Sequence, residues 1–306
     1  MLSLDRVLKR PRLTKALTGL SPDEFRTLVP VFERAWNETL YDRYLSTAGR
    51  QRKPGAGNKG FLPTAALKLF YVLFYFKCYP TFDFAGFIFN CNRSKAHRRQ
   101  QVLTPVLEMA LGKKQSLPRR KIRSMEEFLE IFPEAKDIFT DGTERPRQRP
   151  KRNQKPYYSG KKKRHTHKNV IVSDQNRRIG FLSETMPGSV HDYTILKETL
   201  MPEHIPKKVR NHLDLGFQGI ETDYPAMTVS IPRKKPKGKP LTSYAKGWNK
   251  RKARVRVRAE HALAGVKRLR IVSDVFRNRI EGFSDTAMLI SCGLWNYHVN
   301  EALVQR

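Results

Sequence analysis

Apolar positions in SPDEFRTLVPVFERAWNETLYDRYL (21–45) recur at helical intervals, and Ser21 stands three residues before Glu24, the spacing of a capping box, so a helix is predicted there. The glycine-rich basic stretch QRKPGAGNKG (51–60) reads as a connection, and LPTAALKLFYVLFYF after it is apolar enough to be the buried helix of a small bundle. TFDFAGFIFN, a polar break at CNRS, and KAHRRQQVL continue as short helical patterns separated by turn-prone residues, the rhythm of a helix-turn-helix. Its third helix is predicted to start near Ser94 and to present Lys95, Arg98, Arg99 and Gln101, side chains suited to phosphates and base edges in a major groove. A solvated basic face on a structural helix accounts for the same residues. Gly112, KKQ and SLPRRK read as a helix stop and linker, giving a helical DNA-binding domain over 1–112 and a linker over 113–135.

The pattern changes in the second half. KDIFTDGTE, HKNVIVSD and RRIGFLSE are short β-branched or aromatic runs bounded by turn residues, with DQNR as the hairpin loop between the last two. A helix is predicted from His191 to Leu200, strands in HLDLG and AMTVSIP, and a long basic helix from about Ser243 to Val272. Strands first and helices interleaved later predict an α/β domain with a mixed sheet over 136–306.

Composition narrows the function. The 306 residues are 39% apolar, enough for real cores, yet 60 Lys and Arg against 28 Asp and Glu leave a formal charge of +32. Self-repulsion of that size calls for a polyanionic partner. Cys78, Cys91 and Cys292 form no C-x-x-C, so neither a disulfide scaffold nor a zinc module is indicated, and reduced thiols in the cytoplasm are expected. The longest apolar block, Leu69–Phe76, falls short of the roughly 18 residues a membrane span needs, and no secretory signal opens the chain.

Acidic residues are scarce among so many cations, and three of them draw the chemistry. Asp141 closes the run DIFTD, where a strand end would aim it into a ligand crevice, though Asp-Gly is equally a hairpin turn. Asp192 follows Ser189 by three residues, which also fits a capping box. Glu260 lies beside a predicted buried stripe of Val255, Ala259, Ala262, Val266 and Leu269, on a face shared with Arg256 and Lys267, as an ion-pair stitch or a cleft ligand. Together they are the kind of carboxylate set that holds hard Mg²⁺ ions at a phosphodiester, with two ions clamping the attacking and leaving oxygens.

With TDGTERPRQRPK, YYSGKKKRHTHKN, FLSETMPGSVHD, LDLGFQGI and RVRAEHALAGVKR in this order, the chain resembles the DDE transposases of bacterial insertion sequences. It resembles in particular the IS5-like group and the related Harbinger-type transposase-derived nucleases. The resemblance implies a ribonuclease-H-like catalytic domain with Asp141, Asp192 and Glu260 as the metal-binding triad for Mg²⁺ or Mn²⁺. It also implies double-stranded DNA (terminal inverted repeats and target) as substrate, and a dimer or larger assembly. The family's Tyr-x2-Arg-x3-Glu-x6-Lys motif is kept at Arg256, Glu260 and Lys267, but Ala253 stands at the tyrosine position. Asp214 in HLDLGFQG also resembles a common motif of the family and is the runner-up to Glu260 as third ligand, with a strand-end turn aspartate as the alternative. His191, ahead of Asp192, resembles the family's His-Asp pair, placed to orient a metal water, contact the scissile phosphate or cap the helix.

From Arg145 to Arg178 thirteen Lys and Arg face the single Asp174, with Tyr157, Tyr158, Lys161, Lys162 and Lys163 in the middle. This reads as a DNA-contacting loop and hairpin, with a solvated loop as the alternative. From Arg233 to Arg258 there are twelve cations and no acid, including PRKKPKGKP, an arm expected to lack fixed structure without DNA. A non-catalytic, domesticated DNA-binding protein and an RNA-binding or general nuclease are the competing functions.

Overall fold

Local capping sets the first helices. In the computed structural model, which describes residues 3–46, 60–199 and 202–304, Ser3 caps Leu4–Leu8 (α1), and Pro11–Thr18 (α2) ends on Gly19. The predicted capping box is present at Pro22–Leu45 (α3): Ser21 Oγ accepts from the Glu24 N–H at 3.2 Å, and Glu24 Oε2 accepts from the Ser21 N–H at 2.6 Å. The connection over 51–60 lies outside the described residues except for Gly60.

Thr64, Thr81 and Asn92 cap Ala65–Cys78 (α4), Phe82–Phe89 (α5) and Arg93–Lys113 (α6), each through its side-chain oxygen. Tyr79 and Asn90 adopt left-handed backbone after α4 and α5 and reverse the chain, which produces the anticipated helix-turn-helix rhythm. Every residue of α4 from Lys68 to Phe76 is buried, as its unbroken apolar run requires. Tyr71 donates from this helix to the Ala96 carbonyl at 2.7 Å and packs edge-on against Phe89, which locks α6 against α4.

Two compact units divide the chain: Met1–Leu117 with Arg268–Ile271 and Asn300–Arg306, and Pro118–Lys267 with Val272–Val299. Residues read from the sequence as the end of the linker supply Met125–Ile131 (α7) and buried Ile122, Phe128, Ile131 and Phe132 to the core of the second unit.

That unit is built on a mixed sheet. Its strands are Asp137–Pro146 (β1), Tyr158–Ser159 (β2), Arg164–Asp174 (β3), Ile179–Leu182 (β4) and Met186–Pro187 (β5), followed after a helix by Arg210–His212 (β6) and Thr228–Ser230 (β7). β3 pairs antiparallel with β1 and carries β2, β5 and β4 along its other edge; β1, β6 and β7 run parallel. Its helices are Asp192–Thr199 (α8), Ile220–Asp223 (α9) and Ser243–Lys267 (α10), and the chain goes on through Arg270–Ser273 (α11) and Phe283–Val304 (α12), whose residues 270–271 and 300–304 belong to the first unit. Ile138, Val170, Val172 and Phe181 of the sheet close on Ile195 and Leu196 of α8 and on Leu213 and Phe217, all buried. Each such side chain contributes about 1.5–3 kcal/mol by leaving water.

Two expectations change in detail. Asp141 neither closes a strand nor sits in a turn: β1 runs through it and Gly142 to Pro146, because β3 pairs with the strand along its full length. On α10 the buried stripe starts at Ala259, since Val255 is 37% exposed.

Candidate active site

The parallel pairing of β1 with β6 brings two acids to one level. Its last register pair is Phe139 with His212, and two residues further along each chain lie Asp141 and Asp214. Thr140 donates to Asn211 Oδ1 at 2.8 Å just beneath, tying the strands where they part. Asp214 opens a 3-10 turn at Leu215–Phe217, its Oδ1 accepting from the Leu215 N–H at 2.6 Å.

The third acid enters from α8, whose first residue is Asp192. Space for it exists because two neighbours are glycines. A Cβ on Gly142 would stand 2.7 Å from Asp192 Cγ and 2.8 and 2.9 Å from its oxygens; one on Gly216 would stand 3.2 Å from Oδ2. The Asp192 carboxylate therefore lies directly over the β1 backbone next to Asp141. On the other side Lys168 of β3 reaches Asp192 Oδ1 at 3.2 Å and Glu144 Oε1 at 3.5 Å.

Arg256 of α10 stands between the strand acids, 3.3 Å from Asp214 Oδ1 and 3.9 Å from Asp141 Oδ1. The second distance is too long for a hydrogen bond, so Asp141 is only partly compensated. Burial pushes the Asp141 carboxyl up to about 6; Arg256 and the Gly142 N–H pull it down, while Asp214 and Asp192 add to the rise. A carboxylate pushed this far by burial and by other carboxylates is placed to gain from a further cation.

Asp141, Asp192 and Asp214 thus lie within electrostatic reach of one another, offering the oxygen-only donors that hard divalent ions use, with Asp141 under-compensated. Among the described residues no three acidic, histidine or cysteine side chains stand as a group that could hold a metal ion. Glu260 is exposed, one turn beyond Arg256 on α10, and makes no hydrogen bond or ion pair with a described residue. His191 is also exposed, and its carbonyl accepts from the Ile195 N–H at the start of α8.

The cations sort into two groups. Lys161, Lys162 and Lys163 are exposed on the turn from β2 into β3. Lys267, at the end of α10, is lowered from the usual lysine range, first by desolvation and then by Lys162 and Arg145, while Asp141 and Glu144 act in the opposite sense. The basic hairpin and the acids thus lie within electrostatic reach of one residue. Arg145 and Lys168, counted with the basic loop in the sequence, are instead buried: Arg145 donates to Asn169, Thr185 and the Ser284 carbonyl. Arg147 covers the Tyr157 ring at 4.1 Å, and Tyr158 is 44% exposed. In the N-terminal unit Lys95, Arg98 and Gln101 are exposed on α6, whereas Arg99 lies over the Phe61 ring at 5.9 Å.

No local sequence pattern marks Glu144, Gly142 or Gly216 as part of this site. For Lys168 a signal exists, a lone cation inside the strand run HKNVIV, since a charge within a buried strand needs a partner.

A ribonuclease-H-like sheet with acids at the end of its parallel pairing, in one chain with a helix-turn-helix, defines a DNA-binding, metal-dependent nuclease. The chain belongs to the DDE superfamily of endonucleases: residues 140–296 match that family and residues 62–112 match its helix-turn-helix. It is also 27% identical over 288 residues, 94% of this chain and 95% of the relative, to a "Probable transposase for insertion sequence element IS702" from Microchaete diplosiphon. No solved structure matches. Endonucleases of this superfamily depend on a divalent metal, typically Mg²⁺. Among the described residues no helix is long and apolar enough to cross a membrane.

Proposed function

We propose that the protein is the transposase of an insertion sequence of the IS5-like group, acting in the cytoplasm as a dimer or larger assembly on DNA. In this reading a helical domain over 1–112 recognises terminal inverted repeats, and a catalytic domain over 136–306 cuts the element end and joins the freed 3′-hydroxyl to target DNA. The observation that carries it is the seating of the Asp192 carboxylate on Gly142 beside Asp141, with Asp214 within electrostatic reach, in a chain that also holds the helix-turn-helix.

Two Mg²⁺ or Mn²⁺ ions, when bound, would supply Lewis acidity toward the attacking and leaving oxygens. Asp141 and Asp192 would together hold them in this reading. The third ligand is Glu260 by motif spacing and Asp214 by geometry. Arg256, drawn off the aspartates, and Lys267 hold the phosphate, and His191 orients the water or the scissile phosphate. Lys161, Lys162 and Lys163 bind the backbone of the DNA strand that enters the site.

A metal-dependent cleavage assay on terminal-repeat DNA tests the reading and chooses the third ligand. Asp214→Asn is expected to reduce cutting roughly 100- to 1000-fold, and Glu260→Gln by a similar factor only if Glu260 moves in to the metal. Full activity in both variants, or no metal-dependent cutting by the parent, overturns the reading.

Lys95, Arg98, Arg99 and Gln101 are assigned to repeat recognition. Neutralising Arg98 by Arg98→Ala should weaken binding and lower the slope of log K against log salt by about 0.9 if it meets one phosphate. Affinities measured by anisotropy from low to moderate salt read this directly, and an unchanged slope with unchanged affinity removes Arg98 from the interface.

A further inference from the structure

Lys168 is in an unusual place for a lysine. It lies on β3 opposite Glu144 of β1, and its side chain is only 9% exposed. Its ammonium donates to the Val190 carbonyl at 2.7 Å and stands 3.5 Å from Glu144 Oε1 and 3.2 Å from Asp192 Oδ1. Asp192 Oδ1 is itself inaccessible and accepts no hydrogen bond from a described residue, and the ion pair to Lys168 holds it. Two carboxylates and a main-chain carbonyl around one cation form the kind of oxygen set that hard divalent ions use.

We propose that Lys168 is a positioning residue, a built-in cation in this oxygen set. It fixes Asp192 by Oδ1, leaves Oδ2 beside Gly216, and keeps a metal ion from settling between Glu144 and Asp192. Metal is thereby directed to the Asp141 side of the Asp192 carboxylate. The same ammonium, through Val190, fixes the approach to α8 two residues before the acid. A DNA-contacting role is closed to Lys168 by its burial, unlike Lys161, Lys162 and Lys163 on the turn before it.

The proposal rests on Asp192 belonging to the acidic site, and its test does not require DNA to be cut. Bound Mn²⁺ is counted by electron paramagnetic resonance on the full chain, and cleavage is measured in parallel. Lys168→Met, which keeps volume and removes charge, should bind one ion more than the parent and cut roughly 10- to 100-fold more slowly. Lys168→Arg should keep the parent count, and Lys168→Met with Glu144→Gln should return to it. A purely structural lysine would change the melting temperature and leave the count alone; an equal count in Lys168→Met and the parent overturns the proposal. Should Lys168→Met not fold, Glu144→Gln alone carries the test: the parent count supports it, whereas loss of an ion places metal on Glu144 and overturns it. Absence of cleavage by the parent would instead sink the nuclease reading and leave the ion counts standing.

Discussion

Asp141→Asn is expected to abolish metal-dependent cleavage, a loss on the order of 10³-fold or more, and at the same time to make the protein more stable at pH 8. Both effects come from one property. Asp141 is buried beside Asp192 and Asp214, and its carboxyl is pushed up to about 6 from an ordinary 3.8. A group with a raised folded-state value favours the fold fully below pH 3.8, and that contribution is lost as pH climbs through 6. At pH 8 the ionised carboxylate therefore costs about 2–3 kcal/mol, of which the asparagine recovers part. Urea denaturation of parent and variant should show a gap at pH 8 that closes toward pH 4. A variant less stable than the parent at pH 8 would mean that Arg256 already compensates Asp141.

Gly142→Ala is the second large effect. The added methyl would overlap the Asp192 carboxylate, with all three of its outer atoms inside 3 Å. These atoms are not a flexible tip, since Lys168 holds Oδ1 and the residue begins α8. Either the carboxylate or β1 must shift, and a misplacement of about 1 Å at a reacting centre costs on the order of 100-fold in rate. The overlap should cost about 1–3 kcal/mol of stability as well. Gly216→Ala meets the same carboxylate at 3.2 Å and should lose less. Cleavage rates for the two variants check the order, and a Gly142→Ala protein that cuts normally would show that Asp192 does not work from this position.

Much of this arrangement is legible in the chain before folding. The capping box at Ser21 and Glu24, the buried run of α4 and the hairpin through DQNR depend on neighbours in sequence, so period and turn chemistry suffice to place them. Asp141 was harder, because Asp-Gly signals a turn and only the pairing of β1 with β3 keeps the strand straight through it. Pairing between strands far apart in sequence also sets Asp214 level with Asp141, and no local pattern carries that register. The role of Gly142 was hidden for the same reason: its missing side chain leaves room for Asp192, fifty residues away. Buried Arg145 and Lys168 look in sequence like the solvent-facing cations around them, since charge density along a chain says nothing of the face on which each one lies.

Anomalous scattering from crystals of the full chain grown with Mn²⁺ tests the convergence of the acids most directly. Density for the metal bonded to Asp141 and to at least one of Asp192, Asp214 and Glu260 is the predicted result. Manganese bound only elsewhere, with Arg256 still seated between Asp141 and Asp214 at millimolar metal, would contradict it.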